Sequence, residues 1–220
     1  MNSYSVYSRS VILGLILLTG VSHIMAQTPE ETLIKAIGSG DIESIQKHLD
    51  QGMDVNGTYL VGATPLLFAI WGDQLDVMKF LVGKGADPSL SVEKFGAPIN
   101  IAAGRGSMDI CRYLISQDVD LDVPDNEGKT PLMNAIYGRH PEVAIFLIEE
   151  GADVNMKDPN GWSPVFFAAM TGDDNIVKQL INADANVNAK TKDGETPLHR
   201  AELIGYPEVV ALLKAAGAEK

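Results

Sequence analysis

The chain has 220 residues with a formal net charge of −12, from 29 acidic against 17 basic side chains. So acidic a surface argues against nucleic acid, heparin-like polymers and anionic lipid, because phosphate binding draws its affinity from Lys and Arg. A single cysteine excludes an intramolecular disulfide.

Residues 1–26 differ in character from the rest of the chain. Arg9 precedes an apolar run over residues 11–18, then come Gly20 and Ser22, and the segment closes on Ile24-Met25-Ala26 before Gln27. This reads as a secretory signal peptide cleaved after Ala26, leaving residues 27–220 as a domain in the periplasm or outside the cell. Cleavage removes Arg9 and no acid, taking the charge from −12 to −13. An uncleaved anchor fits less well, since the apolar run is short and His23 interrupts its extension. No later run reaches spanning length, so the mature protein is expected to leave the membrane and to be a monomer.

Residues 130–155 set the pattern. Thr130 is a good N-cap and Pro131 a good first helical residue, since the missing N–H has no partner there. Pro141 restarts a second helix with Val143, Phe146 and Leu147 on one face, and Gly151 ends it in the left-handed conformation. Helices this short are unstable alone, so the unit needs neighbours.

The neighbours come at a fixed step. Thr64-Pro65-Leu66, Ala97-Pro98-Ile99, Thr130-Pro131-Leu132, Ser163-Pro164-Val165 and Thr196-Pro197-Leu198 lie 33 residues apart, and Gly52, Gly85, Asp118, Gly151, Asp184 and Gly217 keep the same step at the second helix's end. Thr196-Pro197-Leu198-His199-Arg200-Ala201 and Gly151-Ala152-Asp153-Val154-Asn155 carry the two signatures of the ankyrin repeat family, which the chain resembles from Glu30 onward. The resemblance implies an all-α solenoid of about six helix-turn-helix repeats, starting near residues 31, 64, 97, 130, 163 and 196, with short hairpin fingers between them.

Individual repeats carry further expectations. The first, with Ser44, Lys47 and His48 at places apolar elsewhere, reads as a solvated cap. In the third, Ala97 replaces the capping Thr and Gly96 is one residue out of phase with Gly62, Gly128, Gly161 and Gly194, so a bent finger is expected. The last repeat is expected to fray. Leu81, Leu114, Leu147, Leu180 and Leu213 form a core column, and Cys111 falls at a small core place.

Nothing in the sequence spells an enzyme, and no catalytic, cofactor or metal site is predicted. His48, His140 and His199 lie in three different repeats, His199 at the family's own histidine place, where a hydrogen-bonded structural role is expected. Asp118, Asp120, Asp122, Asp125 and Glu127 imitate a calcium loop, but Val123 stands where Gly is required and Lys129 where the bidentate Glu should be. Asn56-Gly57-Thr58 is a formal glycosylation sequon whose Asn belongs to the repeat itself.

A binding surface remains. The resemblance implies partner contact through finger tips and the concave face of the first helices. Position by position it selects Leu60, Val61, Trp71, Phe95, Arg105, Lys129, Tyr137, Trp162, Met170 and Leu203. Trp71 and Trp162 are the expected anchors, with packing over neighbouring fingers as the competing role. Phe166 and Phe167 are expected to be half buried, and Asp125, Glu127, Asp158 and Glu195 to form an acidic rim that favours a basic partner. The expected function is non-catalytic binding of another protein; the alternative is a periplasmic immunity or inhibitor protein that neutralises a toxin or enzyme.

Overall fold

A computed structural model describes residues 28–219. The expected signal peptide lies outside the described residues. Within them the chain forms twelve α-helices in antiparallel pairs: α1 Pro29–Ser39 and α2 Ile42–Asp50, α3 Pro65–Trp71 and α4 Leu75–Gly83, α5 Pro98–Arg105 and α6 Met108–Ile115, α7 Pro131–Tyr137 and α8 Pro141–Glu149, α9 Pro164–Thr171 and α10 Asp174–Asn182, α11 Pro197–Ile204 and α12 Pro207–Ala215. The first helices of successive pairs pack side by side from α1 to α11. None of the described helices is long and apolar enough to cross a membrane.

The helix starts follow the sequence. Thr64, Thr130 and Thr196 each cap with the side-chain oxygen, accepting the N–H of Leu67, Met133 and His199 at 3.3, 3.3 and 3.2 Å. Ala97 has no such oxygen, and Asn100 compensates: its Oδ1 accepts the Ala97 N–H at 3.1 Å, while its Nδ2 donates to the carbonyls of Val123 and Lys129 in the next finger. The left-handed column holds in all six repeats, from Gly85 at φ 95° down to Asp184 at 61° and Asp118 at 59°. A second left-handed column, unforeseen, closes the inter-helix turns, with Asp73 (55°) and Arg139 (61°) where other repeats use glycine.

The core is one continuous stack in which Leu81, Leu114, Leu147, Leu180 and Leu213 are completely buried. The first repeat buries Leu33, Ile34, Ala36 and Ile37 on one side only. At the other end, His199 and Glu202 occupy places that inner repeats fill with buried Phe166 and Ala169, and Glu202 pairs with Lys214 at 2.8 Å. The last repeat thus places polar groups where inner repeats place apolar ones. His199 is exposed there rather than held in a structural bond by its side chain.

Loops are stitched forward from one repeat to the next. Asn56 donates to the Gly85 carbonyl and accepts the Asp87 N–H, Asn155 does the same with Asp184 and Asn186, and Asn188 with Gly217 and Glu219, over 2.7–3.2 Å. The amide of the sequon is therefore in structural use.

Candidate partner-binding surface

Each finger, from that of the second repeat to that of the sixth, is a tight turn whose ends are joined by a backbone bond: Tyr59 to Ala63, Val92 to Gly96, Asp125 to Lys129, Asp158 to Trp162 and Thr191 to Glu195, at 2.9–3.0 Å. The third finger keeps this closure despite its shifted glycine, so it is not bent open. In the fourth and fifth, the aspartate turns inward. Asp125 Oδ1 accepts the N–H of Glu127 and Lys129, and its Oδ2 accepts from Asn134 Nδ2 at 2.9 Å; Asp158 Oδ1 accepts from Asn160 and Trp162 at 2.8 Å.

Both carboxylates are buried, which corrects the acidic-rim expectation. The turn amides need acceptors and a charged one bonds them most strongly. Of the remaining two acids, Glu127 pairs with Lys129 and Glu195 with Arg200. The same satisfied geometry accounts for the carboxylates that resembled a calcium loop: Asp120 accepts from Asp122, and Asp122 from Asp153. Among the described residues no group of three or more His, Cys, Asp or Glu is placed to hold a metal.

The aromatic side chains separate into two clusters. Trp71 is buried, its ring edge-on to Phe68 at 5.3 Å and to Phe95 at 4.9 Å, with Arg105 Nη2 donating to its backbone carbonyl at 3.0 Å. It is therefore a core residue and not an exposed anchor, because the third finger folds Phe95 over it. In the second half, Lys129 Nζ lies 4.9 Å above Tyr137, Tyr137 meets Phe167 at 6.0 Å, Trp162 meets Phe167 at 5.5 Å and stacks on Phe166 at 5.3 Å, and Arg200 covers Phe166 at 5.4 Å.

This ladder ties the fourth repeat to the sixth and leaves Tyr137, Trp162 and Met170 half exposed. Phe166 and Phe167, expected half buried, are fully so, and Lys129 is buried with its ammonium on Glu127. Phe95 and Arg105 are partly covered.

Large apolar side chains stay exposed at Leu60, Val61, Leu203 and Ile204. The first pair crowns the second finger and the second pair ends α11. Leu60, Val61 and Leu203 are legible in the sequence. Leu90 and Val92 are not; with Val61, Glu93 and Lys94 they line a cleft of about 670 Å³ between the second and third fingers.

Two ionisable groups sit off this surface. Burial pushes the Cys111 thiol up to about 12, which keeps it protonated and unreactive. Burial also lowers His140, which donates to the Gly104 carbonyl and lies against Gly106 of the preceding repeat.

Comparison with known proteins agrees with the repeat register. The family described as "Ankyrin repeats (3 copies)" matches residues 90–158 and 150–220, and "Ankyrin repeat" matches residues 61–91. The chain is 32% identical over 83 residues to the "Ankyrin repeat, SAM and basic leucine zipper domain-containing protein 1" of Neofelis nebulosa, and 33% identical over 76 residues to that of Mus musculus. Those alignments take in 38% and 34% of this chain but only 18% and 16% of the relatives.

Among solved structures, an ankyrin repeat domain from Acinetobacter baumannii AYE is similar at TM-score 0.77 and 31% identity, covering 85% of this chain and 98% of that one. The ankyrin repeat domain of Bcl-3 is similar at TM-score 0.77 and 26% identity, covering 88% of each chain. The chain belongs to the ankyrin repeat family.

Proposed function

We propose that this chain is an exported, monomeric scaffold that binds another protein over its finger tips and concave face. Ankyrin repeats are protein–protein interaction modules, and the family is generally non-catalytic. The observation that carries the finer reading is the placement of Leu60, Val61, Leu203 and Ile204, which leave large apolar area in water on the fingers and at the end of α11. Half-exposed Tyr137, Trp162 and Met170 lie between these ends. A pre-ordered surface of this kind loses little entropy on docking. The net charge of −12 favours a basic partner through the acids that remain exposed.

Capture from the native compartment tests it, comparing wild type with Trp162→Ala and with Leu203→Ser/Ile204→Ser. A loss of about 2 kcal/mol or more in at least one variant is expected for a hot spot. Undiminished capture by both places the interface elsewhere.

A further inference from the structure

We infer that Asn160, at the tip of the fifth finger, is a site of self-modification, its side-chain amide being lost to attack by the backbone nitrogen of Gly161 in the folded protein. The reaction needs no partner, so it lies outside the binding role proposed above. Gly161 N forms a bond to Asn160 Cγ while the Cγ–Nδ2 bond breaks, and the departing nitrogen takes up the Gly161 proton and leaves as ammonia. Water then opens the cyclic imide. Addition at Cγ leaves an ordinary aspartate; addition at the main-chain carbonyl carbon leaves an isoaspartate, whose chain runs through Cγ. Nothing is oxidised or reduced.

Asparagine before glycine is the pair suited to this chemistry, because a Cβ on the following residue would shield the attacking nitrogen and restrict its backbone. The chain has two such pairs, Asn56-Gly57 and Asn160-Gly161. They share one local frame. Asp54 Oδ1 accepts the Asn56 N–H at 2.9 Å, and Asp158 Oδ1 accepts the Asn160 N–H at 2.8 Å. The Gly57 and Gly161 N–H groups donate to the carbonyls of those same aspartates at 3.1 and 2.9 Å. The attacking nitrogen is thus held alike in both pairs.

The side chains are held differently. Asn56 donates to the Gly85 carbonyl at 3.0 Å and accepts the Asp87 N–H at 2.8 Å, so its amide reaches Gly57 only after both bonds to the next repeat have opened. Asn160 is exposed, and its Nδ2 makes one long bond to Asp158 Oδ2 at 3.4 Å. Among the described residues no bond from outside the fifth finger holds that side chain. Its amide carbon is free to turn onto Gly161, and bulk water reaches the imide.

The products alter the finger. An aspartate sets a second carboxylate where the amide now faces Asp158. The sixth finger carries Asp193 at the matching place, but there Thr191 stands for Asp158 and no second acid is met. An isoaspartate does more, because the Asn160 carbonyl oxygen, which accepts the Lys192 N–H at 2.8 Å and ties the fifth finger to the sixth, passes to a carboxylate off the main chain. The backbone toward Trp162 also gains a methylene, within the stretch that the Asp158 side chain spans by accepting the Trp162 N–H at 2.8 Å.

The purified chain is incubated at mildly alkaline pH, natively and in parallel unfolded in urea, then digested at intervals and its peptides separated and weighed. In urea the two pairs should convert at comparable rates. In the native chain Asn160 should convert to both acidic products, and Asn56 at least about tenfold more slowly, the brake expected of two hydrogen bonds that must open first. Asn160→Ser should abolish the native reaction.

Equal native rates at the two pairs, or native Asn160 left intact while the unfolded chain converts, overturns the inference. Conversion is read by mass with no partner present, so its failure leaves the scaffold reading standing, and a failed capture experiment leaves this one untouched.

Discussion

Asp122 accepts the Asp153 N–H at 2.9 Å with a carboxylate, at the place where Asn56, Asn155 and Asn188 use an amide for the same forward stitch. A carboxylate accepts but does not donate, so the carbonyl bond made by the three asparagines is missing. Burial raises the Asp122 pKa, and the charges of Asp153 and Asp120 add to it, against the opposing effect of the Asp153 N–H.

Asp122→Asn is therefore expected to stabilise the fold by about 1 kcal/mol at neutral pH through the added bond. A carboxyl raised in the folded state favours folding when protonated and loses that advantage as pH rises through its folded pKa. The benefit of Asn should then be largest at pH 7 and shrink toward the ordinary 3.8 of the unfolded group. Urea unfolding of both proteins across that range checks the sign.

His140 works in the opposite direction. Its depressed pKa, caused first by burial and then by nearby Arg105 against the effects of the Gly104 bond and Glu142, makes protonation unfavourable in the folded state. Stability from this group is complete above the unfolded value of 6.5 and falls as pH drops toward the folded one. Gln74 shows the neutral substitute, donating to the Gly38 carbonyl at 3.3 Å from the matching turn. His140→Gln should hold stability near pH 7.5 and lose less than wild type near pH 5, read by thermal unfolding.

Trp71→Ala and Trp162→Ala should part company in chemical denaturation. Trp71 fills a buried site, and its removal should cost about 3–5 kcal/mol, comparable with the 2–5 kcal/mol of Leu147→Ala in the core column. Trp162 is half exposed and should cost clearly less.

Gly62→Ala and Gly128→Ala separate backbone strain from collision. Both glycines have φ near 80°, so each alanine should cost about 1–2 kcal/mol for the left-handed backbone. Only at Gly128 does the new methyl strike Pro159, and its midpoint should fall further.

Cys111 should resist a thiol reagent in the native protein and react fully once the chain is unfolded, since only the thiolate attacks and burial holds it protonated. Rapid native labelling would show that the sixth helix opens locally.

What repeats at every step was readable without coordinates: the capping threonines, the left-handed Gly and Asp column and the leucine column all depend on residues within one period. What depends on a particular neighbour was not. Trp71 looked exposed because the resemblance marks its place at the end of the first helix as an exposed one, yet the third finger brings Phe95 onto it. Asp125 and Asp158 looked like a charged edge because their turn amides, which consume them, carry no sequence signal. The left-handed Arg139 was missed since arginine does not advertise that geometry as glycine and aspartate do, and Asp73 was missed because its column of inter-helix turns was not read as a left-handed one.

The asparagine stitches run one way, each loop reaching toward the next repeat in the chain. A repeat without its successor therefore holds this amide in water. Shortening the array from its C-terminal side strands a donor and an acceptor that had been matched, whereas shortening it from the other side strands mainly backbone groups that water readily serves.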